Sequence, residues 1–163
     1  MTALLLLSLL SASPAHPSPA APRSEAAVAQ VLDAWHAAAA AADEERYFSF
    51  FTPDAVFLGT DATERWTRDE FKAWAHPYFA RKKAWSFKAV QRHVSFSKDG
   101  QLAWFDEALD TPNMGPARGS GVLVRSGDAW RIAQYNLSIP IPNAVTKDVK
   151  ALVEKALAGT PQK

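Results

Sequence analysis

An α+β protein is predicted, in which a curved antiparallel sheet wraps its concave face around N-terminal helices and a further helix follows at the C-terminus. Two helical stripes support this: Val28, Leu32, Trp35 and Ala39 recur at helical spacing, and Phe71, Trp74, Ala75, Tyr78 and Phe79 follow at i, i+3, i+4, i+7 and i+8. After Ala84 the period changes to two, the signature of half-buried strands. The chain has 163 residues, enough for one domain with a real core and too few for two.

Residues 1–23 read as a leader. Met1 to Leu10 carry a short apolar run, followed by small residues and by Pro14, Pro17, Pro19 and Pro22. The run falls well short of the ~20 apolar residues of a membrane span and fits a secretory signal followed by a proline-rich tether. This predicts a periplasmic or secreted protein with no stable membrane insertion. No Lys or Arg precedes the run, and cleavage is expected near Ala12 or Ala15.

The domain itself is expected over 24–143, with a C-terminal helix and tail over 144–163. Ser24 is placed to cap the first helix, and Asp43 restarts helical structure with Tyr47, Phe48 and Phe51 as an aromatic face. Thr52-Pro53-Asp54 reads as a turn into a strand from Ala55 to Thr60. Thr67 and Glu70 have capping-box spacing, and Pro77 predicts a kink or restart of the third helix near His76. Strands are expected over Trp85 to Ser97 and Leu102 to Thr111, joined at Lys98-Asp99-Gly100. Past the loop Pro112 to Pro116 comes a second hairpin, Gly119 to Arg125 and Ala129 to Leu137, turning at Ser126-Gly127-Asp128. Asn143 is placed to cap a last helix whose face is Val145, Val149, Leu152, Val153 and Ala156 and which stops at Gly159, packed outside the sheet.

Composition removes several classes of function. Lys+Arg 18 against Asp+Glu 17 gives a net charge of +1 with no basic block, which argues against nucleic acid as a partner. With Cys 0, disulfides, thiolate chemistry and cysteine metal sites are excluded. His16, His36, His76 and His93 lack metal-ligand spacing, so no metal and no cofactor are implied.

Several motifs carry a family resemblance: Phe51-Thr52-Pro53-Asp54-Ala55-Val56-Phe57, Leu58-Gly59-Thr60-Asp61 and Trp130-Arg131-Ile132. With the order of elements, they make Ser24 to Asn143 resemble the nuclear transport factor 2-like superfamily and, within it, the SnoaL-like domains. A subgroup of small bacterial SnoaL-like proteins is similar at Gly59-Thr60-Asp61, Glu64-Arg65-Trp66, Trp104-Phe105-Asp106-Glu107, Arg118-Gly119-Ser120-Gly121 and Gln134-Tyr135-Asn136-Leu137. The resemblance implies a cone with a pocket at its open end and dimerisation through the sheet. It leaves the activity open, because the superfamily holds isomerases, cyclases and dehydratases beside non-catalytic adaptors and oligomerisation hubs.

Candidate chemistry rests on three carboxylates. Asp106 and Glu107 are strand neighbours and point to opposite faces, so at most one enters the cone. Phe105, Glu107 and Leu109 share one face while Trp104, Asp106 and Ala108 share the other, and the sequence does not choose between them. A carboxylate in an aromatic pocket is a general acid or base; the competing reading pairs it with Arg118 or Arg125. Asp61 ends the first strand as a candidate base or as a turn cap. Glu64 and Arg65 read as partners in loop ion pairs.

Gln134 and Asn136 continue the row of Trp130 and Ile132, which predicts two inward amides. With Trp66, Tyr78 and Arg118 they form the candidate substrate-binding set. The tyrosines Tyr47 and Tyr78 offer hydroxyls to a cavity. Gly119-Ser120-Gly121 is read as room for sheet bending or a close backbone approach, not as a nucleophile elbow. The resulting expectation is a pocket for a small apolar or aromatic molecule, with cofactor-free acid/base chemistry of cyclase, isomerase or dehydratase type. The alternative is a non-catalytic ligand-binding or dimerisation module.

Overall fold

A computed structural model describes residues 24–159; the leader and tether read at 1–23 lie outside the described residues. The first helix, α1 (Glu25–Ala40), starts where the Ser24 hydroxyl accepts the Ala27 N–H, and it buries Val28, Leu32, Trp35 and Ala39. Asp43 caps α2 (Glu44–Ser49) through the Arg46 N–H. Strands β1 (Phe51–Leu58) and β2 (Arg65–Thr67) precede α3 (Arg68–Ala80), which opens on the full Thr67/Glu70 capping box. The remaining strands are β3 (Lys88–Phe96), β4 (Leu102–Asp110), β5 (Ala117–Ser126) and β6 (Ala129–Ser138), followed by α4 (Thr146–Ala158).

The strands form one curved, unclosed sheet in the order β2-β1-β6-β5-β4-β3. Every neighbouring pair is antiparallel except β1 with β6, which the chain reaches from the far edge after a long excursion. The concave face packs on α1, α2 and α3 around an aromatic core of Trp35, Tyr47, Phe71, Phe79, Trp130 and Tyr135. Bulges in β3 between Ala89 and Gln91, and in β6 opposite Val122 and Leu123, bend the strands that carry them.

Four local expectations are corrected. Thr52-Pro53-Asp54 lies inside β1, and its register with β6 breaks between Phe51 and Val56, where Pro53 has no N–H to give. Helix α3 runs through Pro77 to Ala80. The proline sits in the last turn, and the carbonyl it deprives of a partner belongs to Ala73, an exposed residue. Trp85 precedes β3 instead of opening it. Finally, Asn143 begins a 3-10 turn, Asn143–Val145, and α4 follows with no side-chain cap.

That last helix forms without packing. None of its residues is buried, and Leu152 and Leu157 are 67% and 66% exposed. An amphipathic helix that covers nothing contributes little to the fold it follows. Ending the chain at Ile141 is therefore expected to change unfolding stability by less than about 0.5 kcal/mol in a urea titration. A loss of 2 kcal/mol or more would show that α4 packs on the domain.

Candidate functional site

The mouth of the cone holds a cavity of about 260 Å³. Its walls are Phe57 of β1, Trp66 of β2, Phe71 and Trp74 of α3, and Trp85 and Phe87 of the segment leading into β3. Leu137 closes the sheet side and Met114 the loop side, while Gly59, Thr60 and Glu64 come from the β1–β2 loop. Five of the rings lie nearly parallel. Phe71 is tilted by 15° to Phe57, 14° to Trp66, 19° to Trp74 and 26° to Trp85. Offset-parallel rings gain attraction beyond the area they bury, and the same arrangement presents planar surfaces to a guest.

The β1–β2 loop is a small hydrogen-bonded unit. The Gly59 N–H donates to the Glu64 carbonyl at 2.9 Å, and the Glu64 N–H to the Asp61 carbonyl at 3.0 Å. Asp61 Oδ1 accepts both the N–H and the hydroxyl of Thr63, which holds its carboxyl below the usual carboxylate range. Glu64 Oε2 accepts the Asp61 N–H at 3.1 Å. A Cβ on residue 59 would lie 2.9 Å from Glu64 Cβ and closer still to its carboxylate, so glycine there is what admits the Glu64 side chain.

Behind the aromatic wall lies a buried ionic cluster centred on Glu107. Its side chain is wholly enclosed on the inward row of β4 with Ala103, Phe105 and Leu109. Oε1 sits 2.8 Å from His36 Nε2 and accepts the Tyr135 hydroxyl at 3.2 Å. Oε2 accepts Arg92 Nε at 2.8 Å, and Arg92 Nη2 lies 2.7 Å from it as an ion pair off the hydrogen-bond line. Arg92 continues to Asp33 at 2.9 Å and to the Ala29 carbonyl at 3.2 Å, both on α1.

Burial pushes the Glu107 carboxyl up, but the His36 hydrogen bond and the charges of His36 and Arg92 more than offset this, and its pKa is lowered overall. An ionised carboxylate only accepts, so His36 carries its proton on Nε2. Burial, and then the neighbouring Glu107 charge, raise the Tyr135 hydroxyl well above its ordinary value, leaving it a neutral donor. A Cβ at residue 119 would lie 2.8 Å from Glu107 Oε1 and nearer still to the Tyr135 hydroxyl. Gly119 leaves the room that this cluster fills, and Gly121 accommodates the Gln134 carbonyl of β6.

The sequence-selected residues are dispersed. Of the three candidate carboxylates, Glu107 points inward, Asp106 points outward 3.3 Å from His93 Nδ1, and Asp61 is an exposed turn cap. None of them lines the cavity. Glu107, Gly119 and Leu137 are successive partners across three strands, which places Glu107 about 10 Å from the cavity's sheet wall. Its cationic partner is Arg92, directly opposite on β3, not Arg118 or Arg125.

Trp66 alone of the candidate binding set lines the cavity. Tyr78 is exposed against Trp74 and Arg81, Tyr47 is enclosed in the core, and Arg118 is on the convex face. Gln134 and Asn136 are also outward, contrary to expectation. The β6 bulge moves Val122↔Gln134 out of step with Leu123↔Ile132, so Tyr135 and Leu137 take the inward row. The structure adds residues that were given no such place in the sequence: His36, Arg92 and Tyr135 in the buried cluster and Glu64 in the cavity wall. For His36 and Arg92 a signal existed, since each has apolar neighbours on its row of helix or strand; Tyr135 alternates with Arg131 and Ala133 and turns inward only through the β6 bulge.

A sequence profile of the SnoaL-like domain matches residues 28–142, and the chain belongs to that family. No curated protein matches it. Among solved structures it is similar to a candidate dehydratase of the nuclear transport factor 2-like family from Streptomyces avermitilis, at 18% identity over 72% of this chain and 96% of that one (TM-score 0.62). It is also similar to a nuclear transport factor 2-like protein of unknown function from Pseudomonas putida KT2440, at 15% identity, 73% and 88% coverage and TM-score 0.60. A candidate scytalone dehydratase from Novosphingobium aromaticivorans is similar at 12% identity, 71% and 83% coverage and TM-score 0.58. These likenesses establish the nuclear transport factor 2-like fold.

Removing one member of a buried ion pair strands the others, so Glu107→Ala is expected to cost about 3–5 kcal/mol in urea unfolding. The lowered pKa makes the carboxylate's contribution fully present above its ordinary value of 4.5 and lost as pH falls from there through the folded-state value. The wild-type protein is thus expected to lose stability with acid more steeply than Glu107→Gln. Parallel acid-titration curves for the two would exclude an ionised Glu107.

Proposed function

We propose that this protein is a binding module whose cavity takes one small planar apolar or aromatic molecule. The observation that supports it is the near-parallel set of rings around a cavity of about 260 Å³. Ligand pockets commonly span roughly 300–1,000 Å³, so this one suits one or two fused rings. A planar guest lying parallel to the walls buries apolar area and stacks at once, which a saturated, puckered molecule of equal size cannot do.

Acid/base chemistry of the dehydratase or isomerase type needs a titratable group within hydrogen-bond reach of the guest. Asp61, Asp106 and Glu107 stand outside the walls, and Glu64, the carboxylate among the lining residues, has no second titratable group beside it there to complete an acid/base pair. The binding reading is therefore preferred to the catalytic one. Calorimetric titration with 2-naphthol and with its saturated counterpart decahydro-2-naphthol tests it. Binding of the planar probe alone is expected, weakened about tenfold in Trp74→Ala, where a half-exposed wall ring is removed without opening the core. Equal binding of both probes, or of neither, overturns the reading.

Export and dimerisation belong to the same proposal. Export is supported by the apolar run and proline-rich tether in residues 1–23, and sequencing the mature N-terminus from fractionated cells tests it. For the dimer, the support is the uncovered convex face, where Trp104 is 50% and Leu102 42% exposed beside Val122 and Val124. An apolar patch of this kind fits an interface between two copies of the sheet. Light scattering at tens of micromolar should report a dimer for wild type and a monomer for Trp104→Lys. A wild-type monomer sinks the idea.

A further inference from the structure

The cavity's walls are aromatic and aliphatic apart from Thr60 and one charged side chain, Glu64. Three features hold that carboxylate in place. The loop from Gly59 to Glu64 is closed by backbone hydrogen bonds at both ends, the Asp61 N–H donates to Oε2, and the missing Cβ of Gly59 leaves the space the carboxylate fills. No cation neutralises it: among the described residues the arginine and lysine ion pairs go to Asp69, Asp33, Glu107 and Glu154. A guest that fills the cavity strips water from this carboxylate. That costs free energy unless the guest returns a hydrogen bond, and an anionic guest adds repulsion to the loss.

We infer that Glu64 selects the ligand: the cavity takes a flat aromatic molecule with a neutral O–H or N–H donor on one edge, such as a hydroxyarene or an N–H heteroarene, and rejects aromatic carboxylates. This rests on the aromatic-cavity reading above and adds to it the chemical class of the guest. The stacked rings supply affinity without regard to substituents, while the carboxylate at the β1–β2 loop supplies the discrimination. Hydrogen bonds to an ionised acceptor are about twice as strong as neutral ones, which makes the edge donor the chief determinant among molecules of one shape.

Three probes of one shape test it by calorimetric titration at pH 7: 2-naphthol, 2-methoxynaphthalene and 2-naphthoate. Wild type is expected to bind 2-naphthol about tenfold or more tightly than either of the others. In Glu64→Gln the naphthol-to-naphthoate ratio should fall toward one, because the amide both accepts and donates, while the thermal transition stays in place. Equal affinity of wild type for 2-naphthol and 2-naphthoate overturns the inference even if Glu64→Gln fails to fold, as does a ratio that the substitution leaves unchanged. The two failures are separable. If all three probes bind alike and Trp74→Ala weakens each, the cavity reading stands and Glu64 is not its selector; if none binds, both fall.

Discussion

Glu107 is the point at which the helical layer is tied to the sheet. Its carboxylate receives His36 from α1, Arg92 from β3 and Tyr135 from β6, and Arg92 carries the connection back to Asp33 and Ala29 on α1. An unpaired buried carboxylate would be far too costly to keep, so the three partners must arrive together. Apolar packing of Val28, Leu32 and Trp35 against the sheet tolerates small slides of the helix. Directional hydrogen bonds to a fixed carboxylate tolerate much less, and the cluster sets the height of α1 over β3, β4 and β6.

From that constraint the remainder of the interior follows. Gly119 must lack a side chain because the Tyr135 hydroxyl and the Glu107 carboxylate occupy the space beside it. Tyr135, held by its hydroxyl, presents its ring to Phe57 at 5.6 Å and 23°, and Phe57 stacks on Phe71 at 3.9 Å. The polar cluster is in this way coupled to the aromatic wall by one ring on each side. It also stays separate from the cavity: a carboxylate neutralised by an arginine and enclosed on all sides holds no proton for a guest it never meets.

Inside, the cavity has one carboxylate, set at the loop, and no cation in its lining. Outside, the Leu102, Trp104, Val122 and Val124 end of the convex face and the apolar side of α4 are left uncovered by the described residues. The two surfaces differ in kind. The sheet face is rigid, because each strand is hydrogen-bonded on both sides, whereas α4 follows a segment containing Pro140 and Pro142 and is held chiefly by its own turns.

Helices, strands and fold family were legible in the sequence because they depend on local rules. Helical spacing at Val28, Leu32 and Trp35, the Ser24 cap, the Thr67/Glu70 box and alternation through β4 each express a periodicity written along the chain. Part of the site was legible as well. His36 lies four residues after Leu32, Glu107 two after Phe105 and Arg92 two before Val94, so each has apolar neighbours on its row, but Asp106 between Trp104 and Ala108 offered β4 an equal alternative and nothing along the chain paired the three. What the chain did not disclose was parity and pairing. The spacing of three between Ile132 and Tyr135 marks the β6 bulge only once β5 is seen opposite, and that single extra residue turned Gln134 and Asn136 outward. Which arginine meets Glu107 was decided by β3 lying beside β4, and Glu64 joined the aromatic wall because Gly59 let the loop close over it. Sequence determines which residues share a face of an element; only the tertiary structure decides which faces meet, because register and long-range pairing depend on partners distant in the chain.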